Sequence, residues 1–161
     1  MEIQITEADP TADDVRDLIA RHLRFTAAAS PPEFAFALDH AGLVEPGVTL
    51  FALRQDGDGE LLAVGALKHL DDTHAELKSM HTAQEARGRG LGRRMLHHLI
   101  ATAAGRGYRR LSLETGTTDE FLAARRLYEA AGFTTCPPFA DYRASEWNTF
   151  MTLGLGGEVS R

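Results

Sequence analysis

The stretch Gln84-Glu85-Ala86-Arg87-Gly88-Arg89-Gly90-Leu91-Gly92 sets a glycine at every second position from 88 to 92, between a strand-like segment and a helix-like one. Such a turn exposes backbone N–H groups. The following helix adds the positive end of its dipole, so the segment suits an anion such as a pyrophosphate. Glycine lets a ligand approach the backbone closely, and Arg87, Arg89, Arg93 and Arg94 add local positive charge. Spacing separates the known anion-binding patterns. The dinucleotide fingerprint needs Gly-x-Gly-x-x-Gly opening a βαβ unit, whereas here Gly-x-Gly-x-Gly follows several strands; the nucleotide P-loop needs a Gly-Lys-Ser or Gly-Lys-Thr ending, which is absent. What remains is Arg-x-x-Gly-x-Gly from Arg87 through Gly90 to Gly92, which taken alone also fits a plain strand-to-helix turn.

Outward from this turn, the hydrophobic period assigns the elements. Upstream, Val48 to Gln55, Leu61 to Leu70 and His74 to Thr82 read as three strands of an antiparallel meander, joined by Asp56-Gly57-Asp58-Gly59 and Asp71-Asp72-Thr73. Glu2 to Thr6 alternates as a short strand, and Val15, Leu18, Ile19 and Leu23 mark one face of a helix from about Thr11 to Arg24. Ser30-Pro31-Pro32-Glu33 combines a serine cap, proline in the first turn and a capping-box glutamate, which predicts a second helix ending at Gly42. Downstream, Leu91, Met95, Leu99, Ile100 and Ala103 keep helical spacing as far as the glycines Gly105 and Gly107. Arg109 to Glu114 follows as a strand. Thr117 and Glu120 form a capping box for a helix carrying Leu122, Leu127 and Tyr128 and ending at Gly132; Phe133 to Cys136 and Thr149 to Leu153 complete the strands. The class is α+β, a mixed sheet with helices on both faces.

The 161 residues fit one domain, 1–161, with no room for a second. A hydrophobic share of 43% and a charged share of 25% are those of an ordinary globular chain. The formal net charge of −6 lacks the broad positive field that phosphate-backbone binding needs, so nucleic acid is not an expected partner. One cysteine, Cys136, excludes an internal disulfide, and neither a signal-like segment nor a long apolar stretch appears. A cytoplasmic protein without membrane contact is the expectation.

The Arg87 to Gly92 pattern resembles the acyl-coenzyme A signature of the GNAT superfamily of N-acetyltransferases. The run Ala124-Arg125-Arg126-Leu127-Tyr128-Glu129-Ala130-Ala131-Gly132-Phe133 is similar to the second half of that signature, Ala-x-x-Leu-Tyr followed by Gly-Phe. The likeness covers roughly Phe51 to Leu153. Ser30-Pro31-Pro32-Glu33, Leu111-Ser112-Leu113-Glu114-Thr115-Gly116 and Pro138-Phe139-Ala140-Asp141-Tyr142 resemble a bacterial subgroup of small GNAT proteins. The resemblance implies a mixed, mostly antiparallel sheet of about six to seven strands flanked by about four helices. It also implies acetyl-CoA as the acyl donor, and dimers are common in proteins of this type.

By resemblance, coenzyme A contacts fall on Met80, His81, Thr82, Arg87, Gly88, Arg89, Gly90, Leu91, Gly92, Arg93, Phe121, Ala124 and Tyr128, with the Met80 N–H as oxyanion donor. Tyr128 matches the family tyrosine near the thioester sulfur. A phenol with reference pKa of about 10 is protonated at neutral pH and can donate to a thiolate whose conjugate acid has pKa of about 8.5. Glu76 is the first candidate for a base and Glu114 the second; strand glutamates also commonly face solvent or pair with a lysine such as Lys78. Many family members use no dedicated base. His81 is a further proton carrier, or a packed histidine. Phe121 departs from the family pattern, which often has asparagine there to bond the pantetheine arm; Thr115 or Thr117 is a possible substitute. Gln84 replaces a common proline.

No metal is expected, because His97 and His98 are adjacent on a helix and cannot face one side. Cys136, before two prolines and with no histidine partner, reads as an inert thiol. The acceptor, a small-molecule amine, is expected opposite the coenzyme, between the two N-terminal helices and the loop Pro137 to Asn148. That loop carries Phe139, Tyr142, Arg143, Glu146 and Trp147, and His22, Arg24, Glu33 and Glu114 are further lining candidates. Direct acetylation of a primary amine is the leading reading; acetylation of a protein or peptide, and a non-catalytic acyl-coenzyme A-binding module, stay open.

Overall fold

In the computed structural model, which describes residues 2–34, 38, 40–56 and 59–155, the sheet has seven strands. In chain order come β1 (Ile3–Glu7), helix α1 (Asp13–Ala29), α2 (His40–Leu43), β2 (Val48–Gln55), β3 (Leu61–Asp71), β4 (His74–Thr82), α3 (Leu91–Gly105), β5 (Arg110–Gly116), α4 (Leu122–Ala130), β6 (Thr134–Thr135) and β7 (Asn148–Gly154). Their spatial order is β1-β2-β3-β4-β5-β7-β6. Every neighbouring pair is antiparallel except β4 with β5. This is the mixed, mostly antiparallel sheet expected for the α+β class.

Burial explains the layering. β3 is buried at every position from Leu61 to Leu67, so both its faces are covered, as a strand in the middle of a two-sided sheet requires. On one helix, Val15, Leu18 and Ile19 of α1 form the buried stripe; on another, Met95, Leu96, Leu99 and Ala103 of α3 do the same. The α3 helix comes so near β3 that a Cβ on Gly65 would stand 2.9 Å from the Leu99 side chain and 3.0 Å from Met95. Glycine there sets the helix-to-sheet distance.

Several sequence expectations change. The first helix continues past Arg24 to Ala29, carrying Phe25 and Thr26 with it. No helix begins at Ser30; the chain makes one 3-10 turn at Pro32–Phe34, and α2 is a short piece that includes Gly42 rather than stopping at it. Residues 35–37 and 39 of that segment lie outside the described residues, as do Gly57 and Asp58 of the first hairpin turn. The capping box at Thr117 does not form: Thr117 Oγ1 donates to the Glu146 carbonyl at 2.6 Å, and a 3-10 turn at Asp119–Phe121 leads into α4. A competing loop acceptor took the hydroxyl that a cap would have used. The strand expected over Phe133 to Cys136 is regular only at Thr134 and Thr135, although the Cys136 N–H still donates to the Phe150 carbonyl of β7 at 2.9 Å, and Phe133 is buried.

Candidate active site

The parallel pair at the sheet centre sets the site. β4 and β5 are in register only at His74–Arg110, Ala75–Leu111 and Glu76–Ser112. Beyond Glu76 they separate, while β4 stays paired to β3 and β5 to β7. A cleft therefore opens in the middle of the sheet. Within it β4 bulges: Val64 pairs with His81 and Ala66 with Lys78, so Ser79 and Met80 together stand opposite Gly65. Ser79 takes a left-handed φ of 58° to do so, and its buried Oγ has no partner among the described residues.

A cavity of about 350 Å³ fills this cleft. Its β4 wall runs from Glu76 to Thr82, its β5 wall is Glu114 to Gly116, and α4 contributes Ala124, Leu127 and Tyr128. At one end stand Arg87 and Gly92 of the glycine turn. Gly88 and Gly90 there have φ of 82° and 76°, and a Cβ on either would meet nothing within 4 Å, so the space above the turn is open. Leu91, Gly92 and Arg93 form the first turn of α3, where amides have no intrahelical acceptor. The Arg87 Nε donates to the Thr82 carbonyl at 3.2 Å, fastening the turn to the end of β4. An open cradle of amides, a split between strands and an orphaned hydroxyl in its wall fit a pyrophosphate followed by a thin polar arm.

The titratable groups in the cavity are shifted in different directions. Glu114 is pushed up to about 7 because burial disfavours its charge and Glu76 adds to this, against the opposing pull of Lys78. Tyr128, 7% exposed, is pushed above the ordinary phenol range by burial and by the charge of Glu114. His22 of α1 and His81 of β4 face one another, Nδ1 to Nδ1 at 3.1 Å. Burial lowers both to about 4, so both are neutral at pH 7 and one ring donates to the other.

Glu76, 2% exposed, sits where the strands part. The Tyr142 hydroxyl donates to its Oε2 at 2.5 Å, and the Lys78 ammonium lies 3.4 Å from the same oxygen while donating to Tyr142 at 2.7 Å. Phe121 stands at the mouth of the cleft, edge-on to Phe25 at 5.4 Å, and Thr115 lines the wall beside it while Thr117 does not.

Most residues expected at the site therefore meet in one cavity: Met80, His81, Thr82, Arg87, Gly92, Phe121, Ala124, Tyr128, Glu76, Glu114 and His22 all line it. Gly88, Arg89, Gly90 and Arg93 are exposed on the turn at its end. Glu33 is exposed and does not line the cavity, and Arg24 is exposed on α1. Sequence reasoning missed Phe25, Thr26 and Ser79. The first two were hidden by ending α1 too early, and no local signal marks the bulge at Ser79 except Gly65 opposite it. Arg125 was also missed; its guanidinium donates to the carbonyls of Gly116 and Thr118 at 2.7 and 3.0 Å and ties the end of β5 to α4. Among the described residues no cluster of histidine, cysteine and acidic side chains could hold a metal, and no helix is long and apolar enough to cross a membrane.

The model of the acetyltransferase (GNAT) family matches residues 13–133, and the chain belongs to that family. It is 44% identical over 147 residues to the uncharacterized N-acetyltransferase YsnE of Bacillus subtilis, covering 91% of this chain and 96% of that one. It is 45% identical over 148 residues to the uncharacterized N-acetyltransferase YedL of Escherichia coli, covering 91% of each. Among solved structures, one from Klebsiella pneumoniae, described as an acyl-CoA N-acyltransferase, superposes with a TM-score of 0.79 at 28% identity over 95% of this chain and 97% of that one. The protein is thus an N-acetyltransferase, and acetyl-CoA is the acyl donor of its family.

Proposed function

We propose that the protein transfers the acetyl group of acetyl-CoA directly to the primary amine of a small molecule, with Glu114 as proton acceptor and Tyr128 as proton donor. The observation that carries this reading is the pair itself: a carboxyl poised near pH 7 and a protonated phenol in one buried cleft that ends at the glycine turn. Acetyl-CoA supplies an activated thioester. The turn from Arg87 to Arg93 holds its pyrophosphate, the edges of β4 from Met80 to Thr82 flank the pantetheine arm, and the Met80 N–H receives the developing oxyanion.

The amine nitrogen bonds to the carbonyl carbon as the carbon–sulfur bond breaks. Its proton passes to the Glu114 carboxylate, and the Tyr128 hydroxyl gives its proton to the departing thiolate. Glu76 serves differently, as the buried carboxylate that holds Lys78 and Tyr142 in place. Phe121 contributes an aromatic wall with Phe25 where relatives often have asparagine, so backbone and packing hold the arm there. Direct transfer is supported by the position of Cys136, which lies outside the cavity and whose thiol is raised by burial.

Free-thiol release from acetyl-CoA against a panel of small amines tests the proposal, together with mass measurement of the protein mixed with acetyl-CoA alone. Turnover of small amines with no acetylated protein is expected. An acetyl-enzyme that accumulates, or turnover confined to peptides, overturns it.

A further inference from the structure

Asn148 opens β7 beside the end of β5, and the register pairs it with Gly116 while Glu114 pairs with Phe150. Alternation puts the side chains of Glu114 and Asn148 on one face of the sheet as diagonal neighbours, a separation that a carboxyl and an amide together can span. Asn148 is 4% exposed. Its Nδ2 is buried and meets no hydrogen-bond partner among the described residues, although a buried amide N–H left without an acceptor is costly.

The other end of that amide is fixed. The Trp147 N–H donates to the Ser145 Oγ at 3.1 Å, which leaves the Ser145 proton to go to the Asn148 Oδ1 at 2.5 Å. Oδ1 is therefore the acceptor, and Nδ2 is turned the other way. The Thr117 N–H donates to the Trp147 carbonyl at 3.2 Å and the Thr117 hydroxyl to the Glu146 carbonyl, so this turn is pinned to the end of β5. Glu114 is faced by Glu76 and Lys78 of β4, by Tyr128 of α4 and by Tyr142 of the loop before β7. Lys78 and Tyr142 are already engaged at the Glu76 carboxylate. The Asn148 amide has a donor to give, and it opposes the upward shift that burial imposes on Glu114.

Resting on the reading of Glu114 as proton acceptor, we propose that Asn148 is its positioning residue: Nδ2 donates to the Glu114 carboxylate, and Ser145 holds the amide in the orientation that allows it. One carboxylate oxygen is then held at β7 while the other takes the proton of the amine.

The test follows Glu114 in two ways, by the pH dependence of kcat/KM for a small amine and by the carbon-13 shift of its side-chain carboxyl, assigned with Glu114→Gln. In Asn148→Leu the ionised form loses its donor, so the midpoint near 7 should rise by about one pH unit, the scale of one hydrogen bond to a charged group. At pH 7 kcat/KM should fall by about fivefold, with most of the loss returning above the new midpoint. Ser145→Ala leaves the residues around Glu114 unchanged and should move the midpoint the same way by a smaller amount. An unmoved midpoint in Asn148→Leu, or a rise there that Ser145→Ala does not share, overturns this inference alone; the latter would assign the shift to burial beside leucine and not to a lost donor. If Asn148→Leu does not fold, Ser145→Ala decides by itself. An activity limb that survives in Glu114→Gln overturns the proton-acceptor reading, and the carboxyl titration, which needs no turnover, still decides the contact.

Discussion

Glu114 and Glu76 lie on neighbouring strands of one sheet, yet their surroundings push them to different work. Glu76 has a hydroxyl and an ammonium at its Oε2, whereas burial and the charge of Glu76 raise Glu114 to about 7. Ionising Glu114 should therefore switch activity on: kcat/KM rises as pH increases through about 7 and levels off above it. In Glu114→Gln that limb should vanish and the rate fall by about 10²-fold, read from a pH–rate profile. Stability should respond in the opposite sense. A carboxyl whose folded pKa is raised from 4.5 to about 7 contributes fully below the lower value and loses that contribution as pH climbs through the upper one. At pH 8 Glu114→Gln should thus be more stable than wild type by about 2 kcal/mol, and at pH 4 the gain should disappear, as measured by urea unfolding. Tyr128→Phe removes a proton donor without emptying space, so acetyl-CoA affinity should hold while kcat falls by about 10- to 100-fold. Equal kcat in a stopped-time thiol assay would remove the acid role.

At the scale of elements, the region around α4 shows what sequence order conveys and what it conceals. The period of apolar residues located α1, α3, α4 and the β2–β4 meander, because burial imposes that period directly. End signals were weaker guides: Ser30-Pro31-Pro32-Glu33 looked like a helix start and makes only a 3-10 turn at Pro32–Phe34, and Thr117 looked like a cap but gives its hydroxyl to the Glu146 carbonyl of a distant loop. The cleft residues on β4, β5 and α4 were legible through the Arg87 to Gly92 and Leu127 to Phe133 patterns, each of which is local. Phe25, Ser79 and the contact between Gly116 and Phe121 were not, since each depends on which elements meet. A Cβ at Gly116 would run into the Phe121 ring, which also meets the Phe25 ring edge-on. Gly116→Ala should consequently lose about 2 kcal/mol through overpacking. Adding Phe121→Ala should recover much of that loss, and the coupling in a double-mutant cycle is the measurement. Additive losses would mean that the ring is free to turn away.

Across the whole molecule, the cleft exists because β4 and β5 are committed to other partners. β4 is held along its length by β3 and β5 by β7, so the two can part beyond Glu76 without either strand losing its place in the sheet. The centre of the sheet therefore carries unpaired strand edges that a bound arm can satisfy, and binding should stabilise the fold as a unit. With acetyl-CoA at 100 times its Kd the stabilisation is about 2.7 kcal/mol, which for a domain of this size raises Tm by about 5 to 10 °C. Protection from hydrogen exchange should appear at Leu77 to Thr82, Leu113 to Gly116 and the turn from Arg87 to Gly92, and not at the β1–β2 edge. Gly90→Val, which forces a β-branched residue into a φ of 76°, should lower its own Tm modestly and lose most of the ligand-induced rise. A full rise in that variant, or protection that maps to β1 and β2, would place the coenzyme elsewhere on the protein.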